Sequence, residues 1–345
     1  MSTVVALILF FGVVAYAIFG GADFGAGFWD LVAGGAERGK RPRALVDHAI
    51  GPVWEANHVW LIFVLVVLWT AFPSVFASIM LTLFVPMTLA ALGIVARGSS
   101  FAFRKNMRRL QYRRVFGAMF ATSSVVVPFC IGAVVGGIAS GRVPSGGTAG
   151  DPWQSWLNPT SILGGVLAVL VCAFLAATYL AHDASRLGQP DLVDYFTRRA
   201  FVMALITGAV AFAGIFVLRA DDAYLFDGLT TRALPLIIVS ALCGVGSLVV
   251  LWRGAQRYAR LLAIGAVGAV VCGWGVAQWP YMLPETVKIA QAAAPDATLW
   301  SVVIVFGLAA VICVPSLALL YVLDQRGELD GDTADLAPDA ASPVA

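Results

Sequence analysis

Charge is scarce in this chain: 12% of its 345 residues are Asp, Glu, Lys or Arg, while 60% are hydrophobic. Such a balance excludes a soluble globular enzyme and places the chain in the membrane class. Histidine is scarcer still, at three residues, which leaves little with which this chain could ligate a haem or a metal by itself. The five cysteines (Cys130, Cys172, Cys243, Cys272, Cys313) stand singly in apolar runs without C-x-x-C spacing, so neither a disulfide framework nor a thiolate metal site is indicated. They read as small buried hydrophobes. No Walker motif, no G-x-G-x-x-G and no Cys/His cluster is present, and no nucleic-acid partner is expected. The chain therefore lacks the equipment of a free-standing catalyst.

Long apolar runs are what the chain has. A membrane helix needs about 20 apolar residues, and nine such runs occur, at roughly 4–27, 56–73, 75–96, 116–140, 160–181, 200–219, 233–252, 260–280 and 299–322. The first is not a cleavable signal, because it has no basic leader and continues into GGADFGAGFWDLV. The expected fold is thus an all-α integral membrane protein of about nine transmembrane helices, a single domain over residues 1–323. An acidic disordered cytoplasmic tail is expected over 324–345.

Lys and Arg alternate sharply between the intervening loops, with eighteen on the odd-numbered side, counting Arg326 after the last run, and four on the other. By the positive-inside bias the N-terminus faces outward and the C-terminus inward. The Arg97–Arg114 segment reads as a topological anchor, able also to dock a partner or anionic headgroups. A tight outer hairpin is expected at Pro73. The outer segment 141–158 reads as an interfacial loop without its own core, and 281–298 as a surface-lying amphipathic piece.

Polar residues inside the runs carry the functional argument. The stretch 51–62, GPVWEANHVWLI, opens the second run with Glu55, Asn57 and His58. On a helix Glu55 and His58 share a face; Trp54 and Trp60 have the amphipathic bodies that suit the headgroup level. In the first run Asp23 sits within GGADFGAG, where Gly21 and Gly25 have the spacing that lets helices approach closely. A rise of about 1.5 Å per residue places Asp23 in the inner half of the bilayer, on the side where the second run begins. Two carboxylates on adjacent antiparallel helices could line one inward-opening proton path. The plainer alternatives are a wet helix end for Glu55 and a simple bond to a neighbouring helix for Asp23. His48, His182 and Asp183 read as solvated residues near helix ends.

GADFGAG followed by GPVWEANHVWLI resembles subunit II of the cytochrome bd-type quinol oxidases. Further likeness lies in Arg97 and Arg104 with aromatics between them, Asn158-Pro159, Thr178-Tyr179-Leu180 and Trp279-Pro280-Tyr281-Met282-Leu283-Pro284, so that it covers all but the tail. The resemblance implies a bacterial inner-membrane, multi-pass subunit of a heterodimeric respiratory terminal oxidase. That complex oxidises quinol and reduces dioxygen to water without pumping protons. Haem b and haem d would be ligated mainly by cytochrome bd subunit I, in keeping with the few histidines here. This subunit would support subunit I, contact membrane lipids and supply part of the proton route; a bound quinone and a small accessory subunit are left open. By position, Asp23 and Glu55 match the acidic sites of the family, and Trp54 and Asn57 the motif around the second. Glu55 stands where many members have Asp, and His58 where many have Glu or Gln. A secondary transporter of a small cation or neutral solute is the competing class, although no repeated half is visible in the sequence.

Overall fold

The computed structural model describes residues 1–35, 37–50, 54–106 and 110–326, and of residues 50, 54–55, 104–106, 110–114, 321 and 324–325 the backbone alone. The expected tail and the Gly51–Val53 part of the motif accordingly lie outside the described residues, as do the side chains of Trp54 and Glu55. In chain order the elements are α1 (Ser2–Val32), α2 (Lys40–Ile50), α3 (Trp54–Ala71), α4 (Pro73–Thr82), α5 (Phe84–Asn106), α6 (Leu110–Ala139) and α7 (Pro159–Arg186). There follow α8 (Pro190–Asp221), α9 (Ala223–Thr230), α10 (Leu234–Trp252), α11 (Gln256–Gln278), β1 (Tyr281–Leu283), β2 (Val287–Lys288), α12 (Ile289–Ala292) and α13 (Asp296–Gln325).

Among the described residues eight helices are long and apolar enough to span a membrane, and the count reaches nine if the bent pair Ala56–Ala71 and Pro73–Thr82 is taken as one span. That pair corrects the sequence reading. The run expected at 75–96 is not one helix: α3 ends at Ala71, the chain bends by 119° into the short α4, and the span proper starts at Phe84. Pro73 sits in the first turn of α4, where its missing N–H costs nothing and its ring forbids continuation of α3. What reads as a tight hairpin is therefore a ten-residue crosspiece.

This crosspiece organises its end of the molecule. Phe72, Val75, Ile79 and Leu83 are buried in one apolar cluster with Val143 and Trp156 from the 141–158 loop and with Leu283, Ile289 and Ala292 from the 281–298 segment. Backbone N–H groups of Gly147 and Gly150 donate to Ser78 Oγ (3.0 Å) and Thr82 Oγ1 (2.9 Å). Both segments are thus packed on α4, which gives 141–158 the core it was not expected to have, while the short amphipathic piece expected in 281–298 is present as α12, with Ile289 and Ala292 buried and Ala290 and Gln291 exposed. In the second segment α12 follows a β1–β2 hairpin. Arg142 and Thr160 both bond Asp221 (2.7 Å each), tying this loop to the adjoining ends of α7 and α8. Asn158 earns its place before Pro159 as the N-cap of α7, accepting from the Ser161 N–H at 2.9 Å.

α1 is the hub of the bundle, packing against α3, α6, α7 and α11. Its glycines permit this: a Cβ on Gly25 would lie 1.8 Å from the Cys172 carbonyl oxygen of α7, and one on Gly27 would lie 2.1 Å from Ser124 Oγ of α6. Gly21, the other half of the expected pair, faces only ordinary contacts at 3.4 Å. At the opposite end from α4, the amphipathic α2 lies against α1 and α7. Arg43 Nε donates to Asp30 Oδ1 at 2.9 Å and its Nη2 to the Gly34 carbonyl at 2.6 Å, while Arg41 pairs with Asp191 at the start of α8.

Candidate functional site

Asp23 lies two-thirds of the way along α1 and is 4% exposed. An ionised carboxylate in such a place requires partners, because burial without them is costly. Asn57, one turn into α3 and equally buried, supplies one: its Nδ2 donates to Asp23 Oδ2 at 2.8 Å. The antiparallel arrangement of α1 and α3 expected from the sequence thus brings these two residues together.

The second partner is one that sequence reasoning missed. Arg97 is 2% exposed and is the largest fully buried side chain described. Far from anchoring a loop, it lies inside α5, which continues nine residues further. Its Nη2 donates to the Asp23 main-chain carbonyl at 2.7 Å and its Nε to Ser124 Oγ at 3.1 Å, while that hydroxyl donates to the Phe120 carbonyl at 2.7 Å. The guanidinium carbon sits 4.8 Å from the ring centroids of both Phe24 and Phe120. Two hydrogen bonds and two aromatic faces replace the water it has lost. The guanidinium thus meets Asp23 at its main-chain carbonyl, and among the described residues it forms no ion pair with the Asp23 carboxylate.

Around this centre His58 packs its ring against Phe24 (5.6 Å) and Tyr16 (6.4 Å). Trp60 does not lie free at the headgroup level; it contacts Phe11 edge-on (5.6 Å) and stacks on Phe19 (6.4 Å), filling the α1–α3 contact. Glu55 and Trp54 begin α3 one turn before His58, and their side chains lie outside the described residues. The only sequence signal for Arg97 was the Arg97–Arg104 spacing with intervening aromatics, which the resemblance picked out and composition did not.

A centre of this kind can hold a proton or a charge in the bilayer. No three His, Cys, Asp or Glu side chains converge among the described residues. His58 is walled by aromatics, and His182 stands on α7 in its last turn, beside Arg186 and Arg260.

Comparison with known proteins places this architecture. The chain is 26% identical to the cytochrome bd ubiquinol oxidase subunit 2 of Bacillus subtilis (strain 168), over 67% of its own length and 66% of that protein. It is 29% identical to the cytochrome bd-I ubiquinol oxidase subunit 2 of Escherichia coli (strain K12), over 61% of its own length and 55% of that protein. These matches therefore span less than two thirds of either relative. The fold resembles that of a bd oxidase chain from Geobacillus thermodenitrificans, with a TM-score of 0.74 at 21% identity, covering 93% of this chain and 98% of the other. Over residues 1–324 the sequence matches the family of cytochrome bd terminal oxidase subunit II, and to that family this multi-pass membrane protein belongs.

Proposed function

We propose that this chain is the haem-free supporting subunit of a respiratory oxidase that takes electrons from quinol and reduces dioxygen to water. In this reading it packs on a haem-bearing subunit I, which holds haem b and haem d, and delivers protons toward the oxygen-reducing haem. Protons are consumed there rather than pumped. The observation that carries the reading is the buried Asn57–Asp23 bond beside Arg97, a charge centre at the junction of α1, α3 and α5 that a purely supportive apolar bundle would not need. Family membership favours this over a transporter of small solutes.

The division of labour follows from chemistry. Glu55, at the start of α3, is placed where it can take protons from the arginine-rich side, which we assign to the cytoplasm by the positive-inside bias. Asp23 is the inner acceptor, with Asn57 orienting its carboxylate and His58 shaping the path. Subunit I is proposed to cover the face formed by α3 and α13. Val59, Ile62, Val66 and Trp69 of α3 are exposed there, and past Leu299 no described residue of α13 is buried. A bound quinone and a small accessory subunit belong to the complex and need no residue of the centre described above.

Oxygen consumption by the quinol-fed complex tests the reading. Asp23→Asn and Glu55→Gln each keep the shape and remove the ionisable proton. Each is expected to lower turnover by at least about tenfold, on the scale of acid–base groups, with the haem spectrum intact, and Glu55→Asp is expected to keep much of the activity. Full turnover in Asp23→Asn would reduce that residue to a packing role. Loss of haem along with activity would make it an assembly residue.

A further inference from the structure

A groove of about 440 Å³ opens between the C-terminal end of α1 and the first turns of α8, away from the Asp23 centre. Its walls are apolar, with Trp29 and Val32 on one side and Val202 and Met203 on the other, and two guanidinium groups, Arg198 and Arg199, stand at its edge. Arg198 is exposed. Arg199 is half-buried and held in place, its guanidinium carbon 3.2 Å from the Tyr195 ring centroid and its Nη1 donating to the Tyr195 carbonyl at 3.2 Å.

Helix length fixes the depth of this edge. α8 has 32 residues, more than a bilayer core requires. From Arg199 to Arg219 the rise is about 30 Å, at ~1.5 Å per residue, which matches the hydrocarbon thickness. Arg198 and Arg199 therefore mark the membrane interface at one end and Arg219 at the other. Their charges are open to an anion. The neighbouring Arg43 and Arg41 are committed to Asp30 and Asp191, whereas no carboxylate pairs with Arg198 or Arg199 among the described residues, Asp194 one turn earlier included. Beyond the arginines, toward the bilayer centre, α8 continues with exposed Val202, Leu205 and Ile206.

We infer that this groove binds an anionic phospholipid, its phosphate between Arg198 and Arg199 and an acyl chain along Val32, Val202 and Met203. Charge complementarity selects the anionic class, and the adjoining apolar channel selects a lipid over a free phosphate. The site is independent of the proposed oxidase chemistry, because it shares no residue with the Asp23 centre.

Native mass spectrometry of the purified protein, with whatever partner co-purifies, tests it by titration with dioleoyl phosphatidylglycerol. One high-affinity molecule is expected to be retained, with dioleoyl phosphatidylcholine far weaker. The R198Q/R199Q double variant should weaken that retention by about 25-fold, roughly fivefold for each basic residue near a membrane surface. Unchanged retention would overturn the inference. Displacement of the lipid by millimolar inorganic phosphate would also overturn it, since the site would then be one for free anions. Should the double variant fail to accumulate, Arg198→Gln alone removes an exposed side chain that the fold does not use. It should show about the fivefold loss, and no change in it would equally refute the site.

Discussion

Asn57 Nδ2 donates to Asp23 Oδ2 at 2.8 Å, joining α3 to α1 across 34 positions of sequence and sealing a carboxylate into the bundle. The bond satisfies a buried acceptor, which is all that a packing role demands. A proton-carrying role demands more, and the two separate in experiments on the residues around it.

The bond itself is tested by Asn57→Ala. Removing the donor leaves a buried acceptor without its partner, at a cost of about 1–3 kcal/mol. The thermal unfolding midpoint, followed by tryptophan fluorescence in detergent, should fall by several degrees. An unchanged midpoint would mean that water or a neighbour takes over the donor's place without loss.

Arg97 should be the least replaceable polar residue described. A lysine keeps the charge and loses both the planar stacking on Phe24 and Phe120 and one of the two directed hydrogen bonds. Arg97→Lys should therefore retain partial assembly, whereas Arg97→Gln removes the cation beside Asp23 and its directed hydrogen bonds, each worth about 1.5–3 kcal/mol when one group is charged. Yield of folded protein on size-exclusion chromatography should rank wild type above Lys and Lys above Gln. Equal yields would remove Arg97 from the structural centre.

Within one motif, Gly25 and Gly21 should behave oppositely. Gly25→Ala forces a Cβ onto the Cys172 carbonyl and must push α1 and α7 apart, whereas Gly21→Ala meets only van der Waals contact. Gly25→Ala should lower the unfolding midpoint markedly and Gly21→Ala by little. A tolerated Gly25→Ala would show that the crossing can open without loss.

Orientation can be read by membrane-impermeant thiol labelling of intact cells. Ser145 in the loop packed on α4 and Glu37 between α1 and α2 are both exposed. A cysteine at Ser145 should label and one at Glu37 should not. The reverse would invert the assignment of sides and move the proposed proton entry to the other face of the membrane.

Much of this protein was legible in its sequence, because a bilayer imposes a length and a polarity on every span. Composition alone assigned the membrane class, and the apolar runs the number of spans. The cost of a polar group in the bilayer singled out Asp23 and the Glu55–Asn57–His58 stretch as neighbours on antiparallel helices, although the partner expected for Asp23 was Glu55, and the bond from Asn57 came only with the structure.

What the sequence could not decide turned on one bend. Hydropathy reports how apolar a stretch is and not which way its axis points, so 75–96 reads as a single span although α4 turns across the bundle and the helix restarts at Phe84. That restart shifts the span about nine residues along the chain and carries Arg97 from its apparent edge into the interior. Its acceptors, the Asp23 carbonyl and Ser124 Oγ, come from helices distant in sequence, so only the tertiary structure could show that this charge is paid for. The same holds for the two segments on α4. Glycine, proline and tryptophan mark 141–158 as a loop, yet whether a loop lies free or packed depends on the surface beneath it, and α4 provides that surface only once it has turned.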